Sequence, residues 1–157
     1  MQKISKKHPC RVNTIQTDCV ITPFFERKKG VLVSGCEVES TVWDTGATNT
    51  IISSAVIDVL GLKPVRQTQI EGVGGCMDSS VYKINIYVDG CLEFTGIEAL
   101  SGDIGDYDVI IGMDIITLGD FVITTSNPQP IGFRGNLLVK RQKFFYCTYS
   151  LGITETS

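Results

Sequence analysis

Short apolar segments separated by turn-forming residues run through most of the chain, a pattern typical of β-strands. Apolar residues mixed with Thr, Asn and Gln over residues 11–25 predict one or two strands. Residues 31–33 and 36–43 flank a Ser-Gly pair and predict a hairpin. The basic, polar residues 1–10 are expected to form a flexible tail.

Two segments have features of short helices. Ser53 can cap a helix over residues 55–60, which Gly61 can end. The face of this helix that we expect to cover the core is formed by Val56, Val59 and Leu60. A second, brief helix is predicted over residues 113–118, closed by Gly119.

The segment from residue 64 to residue 88 predicts a long hairpin. Its outgoing arm lacks a strong apolar face, as expected of an exposed ribbon. Its return arm alternates, with one apolar side formed by Tyr82, Ile84, Ile86 and Val88. The tip is glycine-rich and consists of Gly72, Val73, Gly74 and Gly75. An Asp-Gly turn at residues 89–90 then leads to another strand over 91–100.

The second half of the chain continues the same pattern. A buried strand ending in glycine is predicted over residues 108–112, another strand over 121–124, and a final pair over 137–139 and 144–149. Together these elements predict one mostly-β domain with two small helices. Its predicted divisions are an N-terminal tail and strand over 1–18, the main domain over 19–136, and a C-terminal strand extension and tail over 137–157.

The composition of the chain argues against several classes of function. A net charge of −3 provides no basic field for nucleic acid, and the longest apolar runs are far too short to cross a bilayer. The six cysteines form no Cys-x-x-Cys pair and there is one histidine, so we expect no metal site and no cofactor. Without a signal-like apolar stretch after the basic start, a cytoplasmic protein with reduced thiols is expected, a disulfide framework being the alternative.

Asp44 stands between two apolar, β-prone runs, Val42-Trp43 and Ile51-Ile52. A carboxylate in such a setting is costly unless something pairs with it or uses it. Asp-Thr-Gly also forms ordinary turns, because Asp accepts local hydrogen bonds and Gly permits a positive φ. Taken alone, the motif favours the turn.

Two other features have similarly ordinary interpretations. The tip at residues 72–75 can be a simple turn, and Ile-Ile-Gly at 110–112 can be the end of a core strand. A phosphate-binding loop would need Lys-Ser/Thr and a helix after the tip, and both are missing. A dinucleotide-binding fingerprint fails for the same reason.

The three features in this order resemble the retroviral-type aspartic proteases (retropepsins) and their cellular and bacterial relatives. The matching segments are Trp43-Asp44-Thr45-Gly46-Ala47, Gly72-Val73-Gly74-Gly75, and Asp108-Val109-Ile110-Ile111-Gly112-Met113-Asp114. The third segment is most similar to that of the bacterial members, and the resemblance covers roughly residues 30–125. It implies a single-domain retropepsin-like acid protease fold: a closed, barrel-like half-lobe with a flap hairpin and two short helices.

By this resemblance the chain would be an aspartic endopeptidase that acts on peptides or proteins. Such an enzyme needs two carboxylates that share one proton, so that one acts as base and the other as acid. The chain has a single Asp-Thr-Gly. The resemblance therefore implies a homodimer in which two copies of Asp44 face each other, with no nucleic-acid or membrane partner.

The resemblance also implies roles for neighbouring residues. Thr45 would hydrogen-bond across the interface, Gly46 would leave room for the substrate backbone, and Ala47 would line the pocket. The tip Gly72-Val73-Gly74-Gly75 would be the flap. Gly112 would let its strand pack behind the active-site loop, and the apolar pocket contacts would be Val73, Val109 and Ile111.

The chain departs from the retroviral pattern in two places. Where those enzymes have an acid and an Arg that form an ion pair, this chain has Thr48 and Met113, which puts the strength of the dimer in doubt. It also continues for over thirty residues beyond Thr124, and the strand predicted at 144–149 could replace the terminal interface sheet or serve something unrelated.

Two non-enzymatic interpretations stay open. One is a catalytically silent peptide-binding or dimerisation module with the same fold, although Asp44, Thr45 and Gly46 are all intact. The other is a structural β-domain in which Asp-Thr-Gly is only a turn.

Overall fold

Strands dominate the computed structural model of the protein, which describes residues 3–7, 12–26, 33–72, 75–125 and 135–141. In chain order the elements are β1 (Lys3–Lys7), β2 (Gln16–Pro23), β3 (Cys36–Trp43), β4 (Ile51–Ile52), α1 (Ser54–Leu60), β5 (Arg66–Gly72), β6 (Gly75–Val88), β7 (Leu92–Ser101), β8 (Val109–Ile111), α2 (Met113–Ile116), β9 (Gly119–Thr125) and β10 (Gly135–Arg141). None of the helices in these ranges is long and apolar enough to cross a membrane.

Six of the strands close into a barrel. The hydrogen-bonded order is β2-β3-β8-β4-β7-β6, and β2 pairs with β6 to complete the ring, while β5 extends from β6. β2 pairs with β3 along one edge and with β6 along the other, and its register with β3 shifts between Thr17 and Cys19. Such an irregularity bends a strand and increases its twist, which barrel closure requires. The predicted mostly-β, barrel-like half-lobe with two short helices is confirmed.

The long hairpin predicted over residues 64–88 is present as β5 and β6, paired from Arg66↔Val81 to Gly72↔Gly75. Its predicted apolar side is buried in the barrel, with Ile84, Ile86 and Val88 fully buried. The turn at residues 89–90 has positive φ at both positions, as a tight hairpin turn demands.

The hairpin predicted around the Ser-Gly pair is wrong. Val33 lies outside any strand, residues 31–32 lie outside the described residues, and β3 pairs antiparallel with β2 instead. Cys19 pairs with Val38, and both are buried. β3 thus pairs with a strand earlier in the chain, a choice that local turn chemistry does not reveal.

The flexible tail expected over residues 1–10 is also corrected in part. Residues 3–7 form β1, which pairs with β10, and Ile4 is buried. β10 covers the strand predicted at 137–139, whereas the strand predicted at 144–149 lies outside the described residues. The predicted domain divisions at 18/19 and 136/137 stay predictions.

Helix α1 has the predicted caps. The Ser53 side chain accepts a hydrogen bond from the Val56 backbone N–H, and Gly61 adopts the left-handed conformation with φ 57°. The predicted core face is partly wrong, because Val59 is 71% exposed. The side that packs on the core is formed by Val56, Ile57 and Leu60. At 100° per residue, Val59 lies on the far side of Val56 from Ile57.

Trp43 links the barrel to the second sheet, whose order is β1-β10-β9. Its ring stacks on Phe121 of β9 with 5.5 Å between ring centroids. Its indole N–H donates to the Thr17 hydroxyl at 2.9 Å, so the buried polar atom is satisfied. The residue that precedes Asp44 is therefore fixed on both sides.

Cys19 is a thiol enclosed in the barrel. Its Sγ lies 2.9 Å from the Thr41 hydroxyl, and burial raises the pKa of the thiol from 9.0 to about 11 despite that hydrogen bond. Between these two pH values the Cys19 thiol therefore stays protonated in the folded state, whereas it loses its proton in the unfolded chain. By linkage, stability decreases as the pH rises through this window.

We expect the free energy of unfolding to fall by up to about 3 kcal/mol between pH 9 and pH 11 through this group alone. The loss should be absent from Cys19→Ser, while other titrations cancel in the comparison. Urea titrations followed by Trp43 fluorescence measure the difference, and Cys76→Ser, at an exposed thiol, is the control. Parallel pH profiles for wild type and Cys19→Ser would contradict the prediction.

Candidate active site

Asp44 lies at the point where a buried strand reaches the surface. Trp43 at the end of β3 is buried, while Asp44, Thr45 and Gly46 are exposed. The Gly46 N–H donates to Asp44 Oδ1 at 2.7 Å, and the Ala47 N–H donates to the Asp44 carbonyl at 3.3 Å. The Asp-Thr-Gly segment therefore does form a turn, and this turn orients the Asp44 carboxylate toward solvent.

The loop over residues 44–50 is held between strands that share β8. β3 runs parallel to β8, with Trp43 opposite Ile111, and β4 runs antiparallel to it, with Ile51 opposite Ile110. The Asp44 N–H donates to the Ile111 carbonyl at 3.0 Å. The loop thus connects β3 to β4, the two strands that pair with β8 on its two sides.

Gly112 lies where the end of β8 passes closest to this loop. A Cβ at this position would lie 2.5 Å from the Asn49 carbonyl carbon and 2.9 Å from the Ala47 carbonyl oxygen. These are backbone atoms, which cannot rotate away as a side chain can. Gly112 has a φ of −93°, which any residue can adopt. A glycine is therefore required here by the close approach of the two backbones and not by its backbone conformation.

Backbone hydrogen bonds join the start of α2 to the same loop. The Met113 N–H donates to the Ala47 carbonyl at 2.8 Å, and the Asp114 N–H donates to the Thr48 carbonyl at 3.2 Å. Thr48 and Met113, which lack the charges of the retroviral pattern, are thus each held by a backbone bond, Thr48 to Asp114 and Met113 to Ala47. These bonds do not depend on side-chain charge.

The other predicted site residues fall into two groups. Val109 and Ile111 are fully buried in the barrel core, and their role as apolar pocket contacts stays a prediction. Gly72 and Gly75 form the last pair of the β5–β6 hairpin, and Gly75 has φ 106°. Val73 and Gly74 lie outside the described residues.

The base of the hairpin is anchored to neighbouring strands. The Ser79 hydroxyl donates to the Ser101 carbonyl at 2.8 Å, and Arg66 forms an exposed ion pair with Glu98 at 2.8 Å. On β6 the residues nearest the tip, 75–78, are exposed, including Met77 at 54%. The hairpin is fixed where it joins the barrel and projects at the glycine end.

Sequence reasoning missed Asp114 and Thr50. The Asp114 carboxylate accepts hydrogen bonds from the Thr50 backbone N–H at 3.0 Å and from the Thr50 hydroxyl at 2.8 Å. The available signal was an acidic residue in the first turn of a short helix, a position where a carboxylate is favourable. That signal does not reveal a partner more than sixty positions away.

A cavity of about 350 Å³ lies elsewhere, beside β2 and β3. The residues that line it include Asp18, Glu37, Glu39 and Asp89, and no residue of the Asp44 loop. In the described part of the chain, no cluster of three His, Cys, Asp or Glu side chains could hold a metal ion.

Gly112→Ala should cost about 3 kcal/mol of unfolding free energy, because the new methyl group overlaps backbone that cannot yield cheaply. Gly90→Ala is the matched control, since Gly90 has open space around it and a φ of 62°. There we expect a loss of about 1 kcal/mol from backbone strain alone. Urea unfolding measures both, and equal losses would contradict the packing argument.

Comparison with known proteins supports the family assignment. A family model described as aspartyl protease matches residues 30–115, more than half of the chain. No curated protein matches. Among solved structures, a retropepsin-like aspartic protease from Rickettsia conorii is similar, with 12% identity and a TM-score of 0.50 over 90% of this chain and 95% of that chain.

Two viral proteases are also similar in structure. The simian foamy virus (mac) protease has 21% identity and a TM-score of 0.43 over 66% of this chain and 92% of its own. The EIAV protease, solved with the inhibitor HBY-793, has 23% identity and a TM-score of 0.45 over 67% of this chain and 86% of its own. The family model and the six-stranded barrel together establish that this chain belongs to the aspartyl protease family, with a retropepsin-like fold.

Proposed function

We propose that this protein is an aspartic endopeptidase whose active site is shared by two identical chains, each contributing Asp44. The observation that supports this most directly is the exposed Asp44 carboxylate at the end of a buried strand, held by the Gly46 N–H at 2.7 Å. A carboxylate that is oriented and still accessible is what a general acid–base group requires.

The chemistry requires a pair of such groups. Two carboxylates brought close together cannot both ionise easily, so their titrations separate and they hold one proton between them. The ionised partner takes a proton from a water molecule, which attacks the peptide carbonyl carbon, while the protonated partner donates to the carbonyl oxygen. One chain supplies a single Asp-Thr-Gly, which is why we propose the homodimer.

The neighbouring residues have the roles expected from the family resemblance. Thr45 hydrogen-bonds across the dimer interface, Gly46 leaves space for the substrate backbone, and Ala47 lines the pocket. The β5–β6 hairpin with the tip at residues 72–75 is the flap that covers an extended peptide and excludes water. The substrates are peptides or proteins, and neither nucleic acid nor a membrane is required.

The second sheet limits how the two chains can meet. β10 is hydrogen-bonded on both sides within its own chain, to β1 and to β9. A partner chain can therefore add a strand to this sheet only at β1 or β9, unless β1 is exchanged between chains. The division into a tail over 1–18, a protease domain over 19–136 and an extension over 137–157 belongs to the proposal.

We also place the protein in the cytoplasm. Cys19, Cys36, Cys76 and Cys91 are all free thiols, as is usual in a reducing compartment. The mechanism uses water and two carboxylates, so it needs no cofactor.

A second candidate is a catalytically silent peptide-binding or dimerisation module. It is favoured by one observation: Thr48 and Met113 cannot form the ion pair of the retroviral pattern. The two functions share the fold and differ in whether Asp44 performs chemistry.

Asp44→Asn should abolish cleavage of a proteome-derived peptide library, read by mass spectrometry, because an amide cannot take up or release the required proton. Asp103→Asn is the matched control. Asp103 accepts a hydrogen bond from the Gly105 N–H at 3.3 Å in an exposed Asp-x-Gly turn, the same local arrangement as Asp44 and Gly46. Equal cleavage by wild type and Asp44→Asn would refute the protease proposal, and peptide binding by both without cleavage would favour the silent module.

Mixing tests the shared site directly. Adding an equal amount of Asp44→Asn chain to a fixed amount of wild type should lower cleavage to about half, because random pairing diverts wild-type chains into mixed dimers with one aspartate. Asp103→Asn chains added in the same way should not lower it. Cleavage unaffected by the inactive chain, after time for subunit exchange, would exclude a site built from two chains.

A further inference from the structure

The Asp114 carboxylate is half-buried and uses both of its oxygens. Oδ2 accepts from the Thr50 backbone N–H at 3.0 Å, and Oδ1 accepts from the Thr50 hydroxyl at 2.8 Å and from the Ile115 N–H at 3.0 Å. No Lys or Arg within the described ranges forms an ion pair with it. The charge is held by neutral donors alone, and two of those three belong to Thr50.

Thr50 continues the connection. Its side chain is completely buried, and its hydroxyl accepts from the Gly112 N–H at 3.3 Å while donating to Asp114. The hydroxyl proton therefore has one acceptor and the hydroxyl oxygen one donor. This fixes the rotation of a hydroxyl group that would otherwise be free to turn.

These contacts hold the end of the Asp44 loop against the start of α2. The Asp114 backbone N–H also reaches the loop, donating to the Thr48 carbonyl at 3.2 Å. Asp114 thus holds two positions of the loop, Thr48 through its backbone and Thr50 through its side chain. The opposite end of the loop is held by the Asp44 N–H on the Ile111 carbonyl.

We propose that Asp114 is the positioning residue of the active-site loop: acting through Thr50, it fixes the loop so that the Asp44 carboxylate keeps its orientation. The inference rests on the proposed protease function. Asp114 does not touch the reacting atoms, and it supplies from within one chain the connection between loop and helix that Thr48 and Met113 cannot make as an ion pair. A carboxylate suits the task because it accepts three hydrogen bonds, whereas an amide accepts only through its single oxygen.

The test compares Asp114→Asn, Thr50→Val and Thr50→Ser, with Asp103→Asn as the control for loss of one carboxylate. Asp114→Asn and Thr50→Val should each lower kcat by about 10- to 100-fold, with KM changed less than about twofold, because the loop shifts while substrate contacts remain. Thr50→Ser keeps the hydroxyl and should retain most of the activity. The double variant Asp114→Asn/Thr50→Val should be no worse than either single variant, because both act on one connection.

Several results would overturn the proposal. One is a kcat for Asp114→Asn equal to that of Asp103→Asn. Others are additive losses in the double variant, or losses that vanish when protein concentration is raised, which would indicate weaker folding or dimerisation instead. If Asp114→Asn fails to fold, the contrast between Thr50→Val and Thr50→Ser decides the same question.

A second readout separates this proposal from the proposed function. The amide resonance of Gly46, whose N–H donates to Asp44 Oδ1, should move in NMR spectra of Asp114→Asn and Thr50→Val but not of Asp103→Asn. If wild type and Asp44→Asn cleave alike, the protease function fails, and this resonance still tests the positioning. A Gly46 resonance that stays in place in both variants would refute the role of Asp114.

Discussion

The close contact between the Asp44 loop and the end of β8 is the constraint on which the rest of the site depends. At Gly112 the two backbones approach so closely that a methyl group has no room. This approach brings the Met113 and Asp114 N–H groups within reach of the Ala47 and Thr48 carbonyls. A larger residue would separate the segments, and the hydrogen bonds that orient the loop would lengthen together.

The twofold symmetry of the proposed dimer makes this constraint stricter than it is in an enzyme with a complete site in one chain. In the proposed dimer, moving Asp44 away from the axis moves its symmetry copy equally in the opposite direction, so the separation of the carboxylates changes by twice the displacement. Proton sharing depends steeply on that separation, because the repulsion between like charges does. The hydrogen bonds that hold the loop limit the displacement of Asp44 itself. They act at Asp44, Ala47, Thr48 and Thr50.

The parts of this structure that could be predicted from the sequence are those determined by local chemistry. The turn at Asp44, the caps of α1 and the alternation along β6 all arise from residues within a few positions of one another. The pairing of β3 with β2, the strand at residues 3–7 and the exposure of Val59 depend on which distant segment supplies the opposing surface. Periodicity does not encode that choice, and the partnership of Asp114 with Thr50 was missed for the same reason.

The hydrogen bonds of Asp114 also bear on the ion pair of the retroviral pattern, which Thr48 and Met113 cannot form. An ion pair between exposed side chains is weakened by salt and costs the freedom of two long side chains. The Asp114 carboxylate instead accepts from buried or backbone donors that have little freedom to lose, because Thr50 is enclosed and the amide groups are fixed. We therefore expect the shape of a loop held in this way to depend little on ionic strength. In the proposed dimer, salt should then act on the association of the two chains more than on the geometry within each one.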